Sequence, residues 1–153
     1  MVVEATICHV IRGDRLLLKK ATRGFSLGKW NGPGGKIDPG ETPEECVKRE
    51  VLEETGLRVS NLLEHGVLSF AMGGKKAVYM RAHLFSTQRA TGSVHSSEEG
   101  PVKWFHLAEL PFDSMWEDDL YWLPLMLRGV RFNATFRYDA ANRHVTSFEI
   151  ASP

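Results

Sequence analysis

The stretch from Gly35 to Leu57 crowds acidic side chains into a spacing that suits metal chemistry. It reads Gly35-Lys-Ile-Asp-Pro-Gly-Glu41-Thr-Pro-Glu-Glu-Cys-Val-Lys-Arg49-Glu50-Val-Leu-Glu53-Glu54-Thr-Gly56-Leu57. Glu50, Glu53 and Glu54 stand at i, i+3 and i+4 of an expected helix, on one face. Like charges so close repel, and a bound divalent cation reverses the sign of that interaction. Carboxylate oxygens are the ligands that Mg²⁺ or Mn²⁺ prefers. The plainer alternative is a solvated acidic helix face, which leaves the Gly34-Gly35 entry and the flanking Arg49 unexplained.

Local signals define the helix that must carry these carboxylates. Thr42 is a good N-cap, Pro43 sits at N1 and Glu45 at N3, which makes a capping box. Gly56 is placed to end the helix in a left-handed conformation, so the helix is expected over residues 43–55. Val47 and Val51 lie four apart and face the core. Gly34 and Gly35 let the backbone pass close to metal and phosphate.

Around this helix the chain reads mostly as strands. Residues 2–11 form an apolar, β-branched run, and a turn at Gly13-Asp14 leads to a second strand over 15–20. Residues 21–35 are glycine-rich and read as a loop. Residues 62–72 and 77–87 read as paired strands around Gly73-Gly74-Lys75-Lys76. Residues 88–101 are polar and loop-like, and 102–106 form a short strand. A loop over 111–119 precedes a helix through about Arg128, which Pro124 kinks or shortens. Residues 130–138 and 144–150 close the chain as a hairpin. Two helices among many strands need opposite faces of a sheet to bury their apolar stripes. The expected fold class is α/β, a three-layer α/β/α sandwich with a mixed sheet, in one domain over 1–153.

A chain of 153 residues suits one domain with a sizeable core. Formal net charge is zero and no basic run is present, which argues against a surface that coats a nucleic acid polymer. No apolar stretch is long enough to span a membrane, and the N-terminus lacks the pattern of a signal peptide. The two cysteines, Cys8 and Cys46, fit a reduced, cytoplasmic setting. The six histidines are scattered, without the paired spacing of a zinc site. A polyanionic small molecule remains a suitable partner, because metal ions can supply the positive charge.

The acidic segment resembles the Nudix box: Gly, five residues, Glu, seven residues, then Arg-Glu-apolar-x-Glu-Glu-x-Gly-apolar. All nine specified positions are met, from Gly35 and Glu41 through Arg49-Glu50-Val51 and Glu53-Glu54 to Gly56-Leu57. The resemblance implies the Nudix fold and hydrolysis of a nucleoside diphosphate linked to another group. It implies metal ligation by the Gly34 carbonyl, Glu50, Glu53 and Glu54, with Mg²⁺ as the ion and Mn²⁺ as an alternative. One of these glutamates or a neighbour takes the proton of the attacking water. Arg49 is expected to orient a carboxylate such as Glu41. Many Nudix enzymes recruit one more carboxylate from a loop outside the box. Ser97-Glu98-Glu99 occupies such a loop, and Glu99 is the choice as extra ligand or base; a solvated loop pair is the alternative.

Outside the box, Phe25, Gly28-Lys-Trp-Asn31-Gly32 and Trp116-Glu-Asp118-Asp119-Leu-Tyr-Trp122 resemble the MutT-homologue subgroup of mammals, which acts on oxidised purine nucleoside triphosphates. The likeness extends from about Thr6 to Tyr138. It implies that Trp116 stacks on a purine, with Phe25 and Phe70 as further walls. Asp118, Asp119 and Asn31 read the base edge, where oxidation of guanine at C8 turns N7 from acceptor to donor. Two adjacent carboxylates in an apolar pocket need not both ionise, and one can keep its proton as a donor. Lys36 is expected on phosphate, and Thr6, Gly34, Gly35 and Met80 complete the implied contacts. The pattern by itself also suits Asp118 as the N-cap of the following helix. The subgroup carries a substrate-touching lysine where the direct register puts Ala21, so Lys20 or Lys19 is the expected substitute. Pro33 and Met72 stand where the subgroup has aromatics, so the pocket walls differ. The expected reaction releases a monophosphate and pyrophosphate, with no membrane or nucleic acid polymer involved and the protein a monomer. The rivals are a Nudix hydrolase of ADP-ribose, dinucleoside polyphosphates or undamaged triphosphates, and a non-catalytic nucleotide sensor.

Overall fold

The computed structural model describes residues 2–73, 78–96, 98 and 100–153. Strand β1 (Val2–Arg12) turns at Gly13 into β2 (Arg15–Lys20), and a loop leads to the two-residue strand β3 (Trp30–Asn31). Helix α1 (Pro43–Thr55) follows, then β4 (Arg58–Ser60), β5 (Leu63–Met72), β6 (Val78–Thr87), β7 (Arg89–Thr91) and β8 (Val102–His106). Two short 3-10 turns precede α2 (Asp119–Leu127), and β9 (Asn133–Tyr138) and β10 (Val145–Ala151) complete the chain. The turn expected at Gly73-Gly74-Lys75-Lys76 falls largely outside the described residues.

The main sheet runs β10-β9-β5-β6-β1-β2-β3, with β8 also paired to β2. It is mixed, as expected. β1 lies parallel to β6 over nine register pairs and β5 parallel to β9, while the remaining pairs are antiparallel. β4 and β7 form a separate small sheet. Neither strand is apparent in the sequence, because three residues are too few to show a period of two.

Alternation along the strands divides the apolar residues between two cores. Leu17 of β2 with Cys8 and Val10 of β1 packs under α1, against Val47 and Val51. Leu16 and Leu18, one residue to either side, face the opposite layer with Trp122, Leu123 and Met126 of α2. Each such fully buried side chain contributes roughly 1.5–3 kcal/mol. The sheet is thereby covered on both faces, giving the α/β/α sandwich. α1 has the predicted ends. Thr42 accepts from the Glu45 N–H at 3.1 Å, Glu45 accepts from the Thr42 N–H at 3.0 Å, and Gly56 takes the left-handed cap conformation. α2 is short, nine residues with Pro124 inside. No helix among the described residues is long and apolar enough to cross a membrane.

Candidate active site

The glycine loop before α1 is stitched to β1. Cys8 N–H donates to the Pro33 carbonyl, Thr6 N–H to the Gly35 carbonyl and Ile37 N–H to the Glu4 carbonyl, at 2.8 to 3.0 Å. Three positions in this loop, Gly32, Gly34 and Gly35, have no room for a side chain. A Cβ on Gly34 would collide with the Thr6 carbonyl, and one on Gly35 would lie 2.6 Å from the Glu50 carboxyl carbon. Glycine therefore lets the backbone lie directly against the carboxylates of α1.

Those carboxylates are held in distinct ways. Glu54 is 2% exposed; it accepts from the Gly34 N–H at 2.9 Å and pairs with the Lys19 ammonium. Burial pushes its carboxyl up, and Lys19 pulls against that shift. Glu50 is also raised by burial, and it accepts from Arg49 at 2.7 Å. Glu53 is the exposed member, 3.5 Å from Arg49. Arg49 forks onto Glu41 at 2.7 and 2.9 Å. The hydrogen bonds from Arg49 hold the Glu41 carboxyl down at about 2.

Three carboxylates within one helical turn, beside a close-packed glycine loop, are hard oxygen donors suited to a divalent ion. Among the described residues no three such groups converge on one point as they stand. Glu50 and Glu54 instead rest on Arg49 and Lys19, so the cluster already draws positive charge into place. Glu99, expected as a further ligand or base, lies outside the described residues, as does Ser97.

One cavity of about 290 Å³ runs from this loop to α2. Thr6, Phe25, Asn31, Gly34, Gly35, Lys36, Phe70, Met80, Trp116, Asp118 and Asp119 all line it. Lys20 does not. Its ammonium sits 6.0 Å from the centroid of the Trp30 ring, on the other side of β2, while its neighbours Lys19 and Ala21 face the cavity. The alternation of β2 is the signal that finds this: residues 17, 19 and 21 share one face.

At the α2 end, Asp118 and Asp119 are 3% and 6% exposed. Asp118 occupies the N-cap position of α2, yet its side chain makes no capping bond. It turns instead to the Nε1–H of Trp122, at 2.6 Å, and to the hydroxyl of Tyr138. Burial and the neighbouring charge of Asp118 push the Asp119 carboxyl well above its usual range. Trp116 is fixed at the mouth, donating from Nε1 to Ser26 at 2.9 Å, with the Lys29 ammonium 4.9 Å from its ring centroid. Phe25, on the same loop, is 57% exposed. Lys19, the alternative to Lys20 in the sequence reading, is the one that faces the cavity, whereas Ser26, Lys29, Trp122 and Tyr138 are not singled out as individual site residues by the sequence. Ser26 and Tyr138 find their partners, Trp116 and Asp118, far away along the chain.

This combination defines a Nudix hydrolase. The NUDIX domain family model matches residues 2–126, and the chain belongs to that family, whose members use divalent metal ions. The chain is 42% identical over 133 residues to the oxidized purine nucleoside triphosphate hydrolase of Mus musculus, covering 87% of this chain and 85% of the relative. Identity to the Danio rerio protein of the same name is 41% over the same shares. Among solved structures, a MutT protein from Bacillus halodurans superposes with a TM-score of 0.86 at 29% identity, covering 97% of both chains.

Proposed function

We propose that the chain hydrolyses oxidised purine nucleoside triphosphates to monophosphate and pyrophosphate with Mg²⁺, clearing damaged nucleotides before polymerases use them. The observation that carries this reading is the buried Asp118–Asp119 pair lining the same cavity as the glycine loop of the box. A buried pair sharing one proton offers an acceptor beside a donor, which suits the polar edge of a purine. The base lies between Trp116, Phe70 and Met80, and Asn31 supplies an amide donor and acceptor. A pocket built on such bonds strongly rejects a base that leaves them unpaired. The names of the mouse and zebrafish relatives point the same way.

The triphosphate then extends toward Lys36 and α1. Glu50, Glu53 and Glu54, with the Gly34 carbonyl, would hold the metal, and Glu99 is the proposed extra ligand or base. Arg49 keeps Glu50 in place, and a carboxylate of this cluster takes the proton of the attacking water. A bound divalent ion neutralises phosphate charge and lowers the pKa of its water. The protein acts as a monomer in the cytoplasm, as one domain over 1–153 in which β9 and β10 complete the sheet. The test is product identity. Hydrolysis of 8-oxo-dGTP with Mg²⁺ should release pyrophosphate and monophosphate; release of inorganic phosphate and diphosphate, or turnover of ADP-ribose alone, would reject the reading.

A further inference from the structure

Tyr138, the last residue of β9, is buried and lines the base end of the cavity. It is joined to Asp118 twice. The Asp118 N–H donates to the phenolic oxygen at 3.0 Å, and the phenolic O–H donates to Oδ1 of the same residue. The Trp122 indole donates to Oδ2 at 2.6 Å. An indole N–H can only donate. The phenolic oxygen already accepts from a backbone amide, which directs its own proton toward the carboxylate. Both oxygens of Asp118 therefore face donors. A proton on Oδ2 would set donor against donor, and a proton on Oδ1 would turn the phenol proton away from its partner.

Asp119 is buried beside it, and two adjacent carboxylates in such a place do not both ionise. The proton of the pair therefore rests on Asp119. Among the groups acting on the pair, Tyr138 comes from β9, Trp122 from α2 and Lys29 from the loop before β3. The charge of Lys29 pulls the Asp119 carboxyl down against the upward push of burial and Asp118.

We propose that the Tyr138 hydroxyl is a specificity-determining positioning group, holding Asp118 as acceptor and leaving Asp119 as donor, so that the site favours oxidised guanine over oxidised adenine nucleotides. The inference rests on the reading of this pair as the base-recognition site. The Watson–Crick edge of guanine presents N–H donors at N1 and N2 beside the acceptor O6. The keto form of 2-hydroxyadenine runs the other way, with an amino donor at C6 and an acceptor at C2. For one orientation of the base, a fixed acceptor beside a fixed donor matches only one of these orders. A pair free to exchange its proton matches both.

Tyr138→Phe keeps the ring and removes the hydroxyl. The measurement is kcat/KM for 8-oxo-dGTP and for 2-hydroxy-dATP in the natural protein and the variant, with Mg²⁺. The natural protein should prefer 8-oxo-dGTP, and the variant should lower that ratio by about 10-fold, the scale of one hydrogen bond to a charged group. The change should come mainly from a lower KM for 2-hydroxy-dATP. An unchanged ratio, or a parallel loss on both substrates, overturns the proposal. Turnover of neither nucleotide by the natural protein overturns the functional reading beneath it, a separate result. Carboxyl ¹³C resonances of labelled aspartate provide a readout independent of turnover. Asp118 should be ionised and Asp119 protonated at neutral pH, and a protonated Asp118 overturns the assignment.

Discussion

The Lys19 ammonium, carried by the second strand, rests on the carboxylate of Glu54 near the C-terminal end of α1. The other oxygen of Glu54 accepts from the backbone of Gly34. A cation of the protein itself thus stands on a carboxylate that would hold the metal. Removing one partner of a buried pair leaves an uncompensated charge, which costs roughly 3 kcal/mol. Lys19→Met should therefore melt earlier than the natural protein in a chelator. Saturating Mg²⁺ should recover most of the loss, because it supplies the missing charge at Glu54. Thermal melts with and without Mg²⁺ check this, and an equal Mg²⁺ shift in both proteins would contradict it.

Gly35 tests how tightly the loop and α1 are matched. A methyl group there would meet the Glu50 carboxylate, which Arg49 holds from the other side. Gly35→Ala should displace Glu50 and lower kcat by about 10-fold or more, as small misplacements of reacting groups do. KM for the nucleotide should change far less. A steady-state comparison of kcat and KM distinguishes this from a general loss of binding.

The legibility of this site followed the range of its interactions. α1 was readable to the residue, because Thr42, Pro43, Glu45 and Gly56 place the helix signals within a few positions of its ends. The two-sided sheet was readable from two helices among many strands, each with an apolar stripe to bury. What escaped was held together across the chain. Asp118 has the sequence signature of a helix cap, but a tyrosine twenty residues away and the indole of Trp122 claim its oxygens. Lys19 reaches Glu54 across thirty-five positions, with no local pattern to mark the pair. The short strands β3, β4 and β7 exist only because a longer partner or each other supplies their hydrogen bonds.

The two aspartates should respond differently to the same change. Asp119→Asn keeps a donor at the position where a protonated carboxyl stands. Asp118→Asn replaces one of the two acceptor oxygens facing the Trp122 and Tyr138 donors with an NH2 donor and removes the negative charge. Asp118→Asn should cost about 100-fold in kcat/KM for 8-oxo-dGTP, at the upper end of the scale for one hydrogen bond to a charged group. Asp119→Asn should cost clearly less. Asp119 also destabilises the fold as it ionises. Its folded-state pKa is raised, so its contribution is full below its ordinary value of 3.8 and is lost as pH rises through the folded value. Asp119→Asn should remove that loss in urea unfolding followed across pH.

His9 sets the opposite limb. It is fully buried against Trp122, 5.6 Å between ring centroids, and its Nδ1 has no hydrogen-bond partner among the described residues. Burial first, and the nearby His65 second, lower its pKa to about 3, against 6.5 for an ordinary histidine. The neutral ring is thus favoured in the fold. Its stabilising contribution is complete above pH 6.5 and is lost as pH falls toward 3. His9→Phe should flatten the acid side of the stability profile between those values. An unchanged acid limb would show that the ring is not held neutral.

The most direct test of the account compares kcat/KM for 8-oxo-dGTP and dGTP, following pyrophosphate release with Mg²⁺. A preference of about 10-fold or more for the oxidised base, some 1.4 kcal/mol of differential transition-state binding, is the predicted result. Equal turnover of the two, or turnover of neither, would contradict the reading of Asp118 and Asp119 as the oxidised-purine site.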